Sequence, residues 1–293
     1  MLLRLLAPLT VAALTLMSSA VFAGSDGPAR APVKVVDVRG AVALIARGAA
    51  VLDARDAAAF AQGHVPGAQM YAWQATTGEG SQRGRVKPDL QQLAHALAAL
   101  GVDAGRPALV YGAVGQGWGE EGHAAWLLAL LGHPEVALLD GGFNAWRAAG
   151  RPVVTSSTRA RPGTFEARLR RELRADLEDV SRCRQVLDVR ATVEFRGATP
   201  YGEARGGHIA GARHLDWRAV LDEGGRVRSA QRIQQALADV GIDPREELVT
   251  YCSCGVRSAF VASALLARGI PRVRNYDGSL AEWAADPSRP MAR

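Results

Sequence analysis

Short apolar runs alternate along this chain with stretches of helical spacing. Ala50–Leu52, Ala108–Tyr111, Gln185–Leu187 and Leu248–Tyr251 read as buried strands, being brief and apolar throughout. Leu90, Leu93, Leu97 and Leu100 fall on one helix face, which Gly101 stops. Ser229 heads a matching helix, and Asp176 caps another opened by Leu177 and Val180. A further helix over Ala259–Arg268 stops at Gly269, with Pro271 beyond. Strands alternating with helices predict an α/β fold whose sheet is mostly parallel and covered on both faces. Such sheets carry their sites at the carboxyl ends of strands, where Asp188 and Cys252 both fall.

The pattern occurs twice. Val51-Leu52-Asp53-Ala54-Arg55 returns as Val186-Leu187-Asp188-Val189-Arg190, and Gly63-His64-Val65-Pro66-Gly67-Ala68 as Gly207-His208-Ile209-Ala210-Gly211-Ala212. Leu100-Gly101-Val102-Asp103 returns as Val240-Gly241-Ile242-Asp243, and Asp140-Gly141 with Trp146 as Asp277-Gly278 with Trp283. Four blocks in one order make a duplicated domain. The expected division is a domain over 30–150, a linker over 151–177 and a domain over 178–293. Arg151-Pro152, Ser156-Ser157 and Arg161-Pro162 mark the linker. Its arginines are expected to pack across the domain surface or face solvent.

Residues 1–23 have a different pattern. A short positive stretch ending at Arg4, an apolar core over Leu5–Met17 and Val21-Phe22-Ala23 make a secretory signal, with cleavage expected near Ala23. A retained N-terminal anchor is the alternative. The mature protein is expected in a bacterial periplasm, without stable membrane insertion, since no second long apolar run follows.

Composition narrows the chemistry. Lys+Arg 35 against Asp+Glu 29 gives +6, a surplus that suggests nucleic acid until its distribution is read. Lys34 and Lys87 are the only lysines; the arginines are scattered among acids, with no aromatic-studded basic stripe, which argues against nucleic acid. Cys183, Cys252 and Cys254 are too few for a disulfide framework. Cys252 and Cys254 with a histidine lack the second paired motif of a metal site, so no metal and no cofactor are expected.

The sharpest local feature is Thr250-Tyr251-Cys252-Ser253-Cys254-Gly255-Val256-Arg257-Ser258, between a strand and a helix. A thiol there meets the N–H groups of a curled loop, the positive end of the following helix and Arg257. All three favour the thiolate, which is the nucleophilic form. The plainer alternative is a structural cysteine at a strand end.

Two repeats with Asp-x-Arg after a strand, Gly-His-[Ile/Val]-x-Gly-Ala downstream and a Cys-x-x-Gly-Val-Arg-Ser loop resemble tandem rhodanese domains. With the cysteine only in the second copy, the order resembles the thiosulfate and mercaptopyruvate sulfurtransferases. The resemblance implies that Cys252 takes a sulfane sulfur from a small donor, thiosulfate first and 3-mercaptopyruvate second, and passes it to cyanide or a thiol. A carrier or sensor handing sulfur to a thiol protein is the rival reading, and a noncatalytic scaffold a third. Arg257 stands five residues after Cys252, where a cysteine phosphatase has six, and the shorter loop suits one sulfur atom better than a tetrahedral oxyanion.

Ser253, Cys254, Gly255, Val256, Arg257 and Ser258 are the expected donor-binding residues, joined by Arg190 and, if its segment is extended, Arg196. The resemblance makes Asp188 a brace for the loop and His208 a structural histidine. Family members carry an arginine at the position of Glu194, so Glu194 is expected to oppose the anion if it faces the cleft. Cys254 has two readings, a pocket wall or a thiol that attacks the Cys252 persulfide. Cys183 is expected to be buried. In the first copy Cys252 falls against Ala113, within Gly112–Gly117, and that domain is expected to be catalytically silent. Those glycines match a dinucleotide loop poorly.

Overall fold

The computed structural model describes residues 31–113 and 116–293. The expected signal over 1–23 lies outside these residues, as do Val114 and Gly115 of the first-copy loop.

The first copy runs β1 (Val33–Val36), α1 (Val38–Ala46), β2 (Ala50–Asp53), α2 (Ala57–Gln62), β3 (Gln69–Met70), α3 (Leu90–Ala99), β4 (Ala108–Tyr111), α4 (Glu120–Leu130), β5 (Val136–Leu139) and α5 (Gly142–Ala148). The second runs β6 (Arg174–Ala175), α6 (Leu177–Arg182), β7 (Val186–Asp188), α7 (Thr192–Phe195), β8 (His208–Ile209), β9 (Arg213–His214), α8 (Ala230–Asp239), β10 (Leu248–Tyr251), α9 (Val256–Ala267), β11 (Val273–Tyr276), α10 (Ser279–Ala285) and β12 (Met291–Ala292). Two five-stranded sheets result, ordered β1-β5-β4-β2-β3 and β6-β11-β10-β7-β9, with every neighbouring pair parallel. This is the α/β fold that the alternation predicts. Within the expected linker, Arg174–Ala175 is an edge strand of the second sheet, paired with β11.

Buried ion-pair units repeat across the copies. Asp53 accepts from Arg55 and from the Tyr111 hydroxyl at 2.5 Å; Asp188 accepts from Arg190 and from the Tyr251 hydroxyl at 2.7 Å. Each tyrosine oxygen in turn accepts a backbone N–H, from Val65 and Ile209 respectively. Burying these groups is tolerable because nearly all of their polar atoms find a partner; among the described residues Arg190 Nη1 has none.

Helices α4 and α9 are apolar on nearly all sides because each lies between its own sheet and the other copy. Gly122 of α4 lies against Phe260 of α9 so closely that a Cβ would overlap the Phe260 backbone. The Ser263 hydroxyl donates to the Gly122 carbonyl at 2.9 Å across the same contact. One apolar core runs through both copies, from Leu52 and Trp126 to Trp217 and Leu265. Each copy has a second core on the opposite face of its sheet. Residues 31–293 therefore form one compact unit.

Candidate active site

Strand β10 delivers Cys252 to its carboxyl end, and the chain turns through Ser253–Gly255 into α9. Gly255 adopts φ +78, where a side chain is strained, and a Cβ would sit 2.5 Å from the Asp277 carbonyl oxygen. Glycine is thus the residue that lets the loop curl against β11. The Cys252 carbonyl accepts from Leu280, and its N–H donates to the Ser279 hydroxyl at 3.1 Å. Ser279 has φ +52, alone among the described non-glycine residues in being positive. Its hydroxyl also donates to the Tyr276 carbonyl at 2.8 Å, so a strained residue fixes the backbone beneath the thiol.

Cys252 is 1% exposed, and the Ser258 hydroxyl donates to its Sγ at 3.7 Å. Burial, the largest influence on this thiol, raises it. The Arg257 guanidinium, the backbone N–H groups of Ser258 and Cys254, and the Ser258 hydroxyl together outweigh burial, so Cys252 titrates below an ordinary thiol. Cys254 goes the other way: burial, then the neighbouring Cys252 charge, pushes it up to about 12. Of the two thiols Cys252 forms its thiolate the more readily, and Cys254 stays a thiol at neutral pH. A protonated thiol is a poor attacking group, which favours the pocket-wall reading of Cys254.

Glu194 is buried beneath the loop. It accepts from Arg257 at 2.7 and 2.8 Å in a fork and from the Ser253 hydroxyl at 3.1 Å. Arg257 also donates to Ser253 at 2.9 Å and lies over the Trp118 and Tyr201 rings. Burial raises the Glu194 carboxyl, but its contacts with Arg257 carry it below the usual carboxylate range. Glu194 therefore does not stand against an anion as a free charge; it is the clamp that holds Arg257 beside the thiol.

Other expected contacts lie elsewhere. Arg190 is fully buried, bound to Asp188 and the Gly207 carbonyl at 2.7 Å, and does not line the cleft. Arg196 caps the short helix α7 and is exposed; the extended segment that would have aimed it inward is absent because the Glu194 side chain closes this turn onto the Ala191 N–H. His208 accompanies the Phe195 carbonyl at 3.0 Å and stacks on the Phe195 ring, as His64 does with Phe60. Cys183 is half-buried rather than buried, at the end of α6.

The first-copy equivalent of Cys252 is Gly112, one residue from the expected Ala113. The Tyr111 and Tyr251 hydrogen bonds align the strands, and the Gly112 carbonyl accepts from Phe143 as that of Cys252 does from Leu280. Gly119 and Gly255 both precede the following helix with φ +78, which places Glu121 at the position of Arg257. The Glu121 carboxylate fills the space that a Cβ on Gly112 would occupy.

A cavity of about 140 Å³ opens above Cys252, lined also by Trp73, Arg83, Trp118, Tyr201, Cys254 and Arg257. Trp73, Arg83, Trp118 and Tyr201 escape the sequence reading. Three of the four belong to the first copy, and nothing in local spacing shows that its loops reach the second. Residues 77–86 form a hairpin bridged at Thr77–Val86 and Gly78–Arg83. Gly84, at φ +90, presses on the Cys254 backbone so closely that a Cβ would overlap its carbonyl. The Val86 N–H donates to Asp277 at 2.7 Å, and Arg85 pairs with Glu282.

The Rhodanese-like domain model matches residues 37–149 and 169–286. The chain belongs to the rhodanese-like family. This rhodanese-like chain is 31% identical over 250 residues to the sulfur carrier protein TtuD of Thermus thermophilus, covering 79% of this chain and 86% of the relative. It is 31% identical over 246 residues to the thiosulfate sulfurtransferase of Azotobacter vinelandii, covering 82% and 90%. The crystal structure of SseA from Escherichia coli, described among the 3-mercaptopyruvate sulfotransferases, superposes with a TM-score of 0.73 at 25% identity, over 84% of this chain and 98% of that one.

Proposed function

We propose that this chain, a sulfurtransferase of the rhodanese type, moves the sulfane sulfur of thiosulfate, or the thiol sulfur of 3-mercaptopyruvate with pyruvate as the leaving group, through a persulfide on Cys252 to a thiophilic acceptor such as cyanide or a thiol. The observation that carries this is the Cys252 thiol at a strand end, buried yet open to one cavity, with Arg257 and two loop N–H groups favouring its thiolate.

In the first half-reaction the thiolate attacks the outer sulfur of thiosulfate. A Cys252 S–S bond forms, the donor S–S bond breaks, and sulfite leaves with the electron pair. The same loop groups that favoured the thiolate then face the persulfide anion. Cyanide next attacks the outer sulfur, thiocyanate leaves, and the Cys252 thiolate is restored. Asp188, Arg190 and Tyr251 hold β7 against β10 under the loop, and His208 ties α7 to β8. Residues 178–293 supply this chemistry, and residues 30–150 are silent for transfer because Gly112 replaces the nucleophile.

Similarity to the Thermus sulfur carrier supports a second reading, in which the persulfide is delivered to a protein thiol. Thiocyanate formation from thiosulfate and cyanide, run beside 3-mercaptopyruvate, tests the first reading. Turnover with neither donor, alongside a persulfide on Cys252 detectable by mass, favours the carrier. The N-terminal pattern supports export to a periplasm, and a secreted product whose N-terminus begins after Ala23 is the expected result of sequencing it.

A further inference from the structure

The cavity holds two guanidinium groups, and they are not equivalent. Both terminal nitrogens of Arg257 are bound to Glu194 or Ser253, and its plane is flanked by Trp118 and Tyr201. Turning Arg257 toward a donor would leave Glu194 buried without its partner. Arg83 has no carboxylate partner among the described residues. Among the described residues its guanidinium makes one hydrogen bond, from Nη2 to the Tyr201 carbonyl at 3.2 Å, and its Nε is buried with nothing to donate to. A buried N–H without an acceptor is costly, and Arg83, with no carboxylate to neutralise it, leaves its charge at the cavity wall for an anion to pair with. The hairpin contact at Gly84 and the Val86–Asp277 bond fix Arg83 over the Cys252 loop from the other copy.

The remaining walls are largely Trp73, Trp118, Tyr201 and Val256. Apolar walls strip water from a small dianion without replacing it, whereas a compact carbon body gains from the same burial. A cavity of this size accommodates a six-carbon ring.

We propose that Arg83, carried by the silent copy, anchors the anionic head of the sulfur donor, and that the site accordingly favours a singly charged organic donor with an apolar body over inorganic thiosulfate. This rests on the sulfurtransferase reading, so its test includes a measurement that needs no turnover. Alkylation of Cys252 by anionic iodoacetate and neutral iodoacetamide is compared in the full chain, in Arg83→Ala and in Arg83→Lys, with fragment masses assigning the label to Cys252 rather than Cys254. The expected result is a fall of about tenfold in the iodoacetate-to-iodoacetamide rate ratio in Arg83→Ala, most of it restored by Arg83→Lys, with the iodoacetamide rate little changed.

With donors, Arg83→Ala is expected to raise KM about ten- to hundredfold for benzenethiosulfonate, with a smaller change in kcat. The full chain is expected to show the higher kcat/KM with benzenethiosulfonate than with thiosulfate. An unchanged alkylation ratio overturns the assignment of Arg83, and a preference for thiosulfate overturns the donor class. If the ratio responds while no donor supports transfer, the anion anchor stands and the sulfurtransferase reading is the part that fails.

Discussion

At the first turn of the helix after the central strand, the second repeat has Arg257 and the first has Glu121. Beneath them the scaffold is the same, down to the Asp–Arg–Tyr unit and the left-handed glycine before the helix. Besides four more residues between the strand and the helix in the first repeat, three positions separate a reactive loop from a filled one. Gly112 stands where Cys252 does, Glu121 where Arg257 does, and Gly142 where Ser279 does; Gly142 and Ser279 share a positive φ, of 56° and 52°. A conformation that costs glycine nothing is retained in the second repeat at the expense of strain in a serine, whose hydroxyl holds the Cys252 N–H. The comparison teaches that the fold needs the turn, while the chemistry needs the side chains added to it.

The largest break in this comparison is Cys252→Ser, expected to abolish thiocyanate formation with circular dichroism unchanged. A hydroxyl stays protonated at neutral pH, and residual transfer in the folded variant would falsify the assignment of the nucleophile. Next comes Arg257→Ala, which leaves the Glu194 carboxylate buried without its partner. Unfolding in urea should show a loss of about 3–5 kcal/mol. Burial of Cys252 is then opposed only by the Ser258 and Cys254 N–H groups and the Ser258 hydroxyl, so its iodoacetamide rate should titrate at higher pH than in the parent, with Arg257→Lys between. A midpoint that falls or stays put contradicts the electrostatic account.

Glu121→Gln tests the first repeat. Burial pushes the Glu121 carboxyl up to about 7, from 4.5 in the open chain, and among the described residues Oε1 has no partner. The folded state therefore favours the protonated acid. Its stability contribution is present below pH 4.5 and lost as pH rises through 7. Glutamine stays neutral throughout. The variant should match the parent near pH 4 and exceed it by on the order of 2–4 kcal/mol at pH 8, read from denaturant curves at both pH values.

The smallest effect is a reciprocal pair. Ser279→Gly should change stability by no more than about 1 kcal/mol, since relief of strain offsets the lost hydrogen bond, yet lower kcat. Gly142→Ser should cost about 1–2 kcal/mol and leave transfer untouched. Equal effects on kcat from both would remove Ser279 from the site.

Strands β4 and β10 were legible to the residue because continuous apolar runs bounded by turn signals leave little choice. The Cys252 loop was legible because all its groups are local in sequence. Arg190 was misread: the same Asp-x-Arg motif that marks the strand end also turns the arginine back onto its own aspartate, as Arg55 shows in the first repeat. Glu194 was read as an adversary of the anion because its partner, Arg257, is 63 residues away. The displacement of Cys252 from Ala113 to Gly112 came from aligning leucines, where the hydrogen-bonded tyrosines carry the register. Arg83 gave no signal, since its meaning depends on a crossing between repeats that no periodicity encodes.

The close seat of Gly122 on Phe260 has an evolutionary consequence. A duplication ordinarily leaves two spare parts that recombination can separate again. Here each repeat buries a helix whose outer face is apolar, so a half set free would expose that face to aggregation and to chaperones. Even a small side chain at position 122 would drive the halves apart. The ancestral single copy cannot be recovered by cutting, and any lineage that lost the first half would have to rebuild the surface of α9 before the second could stand alone.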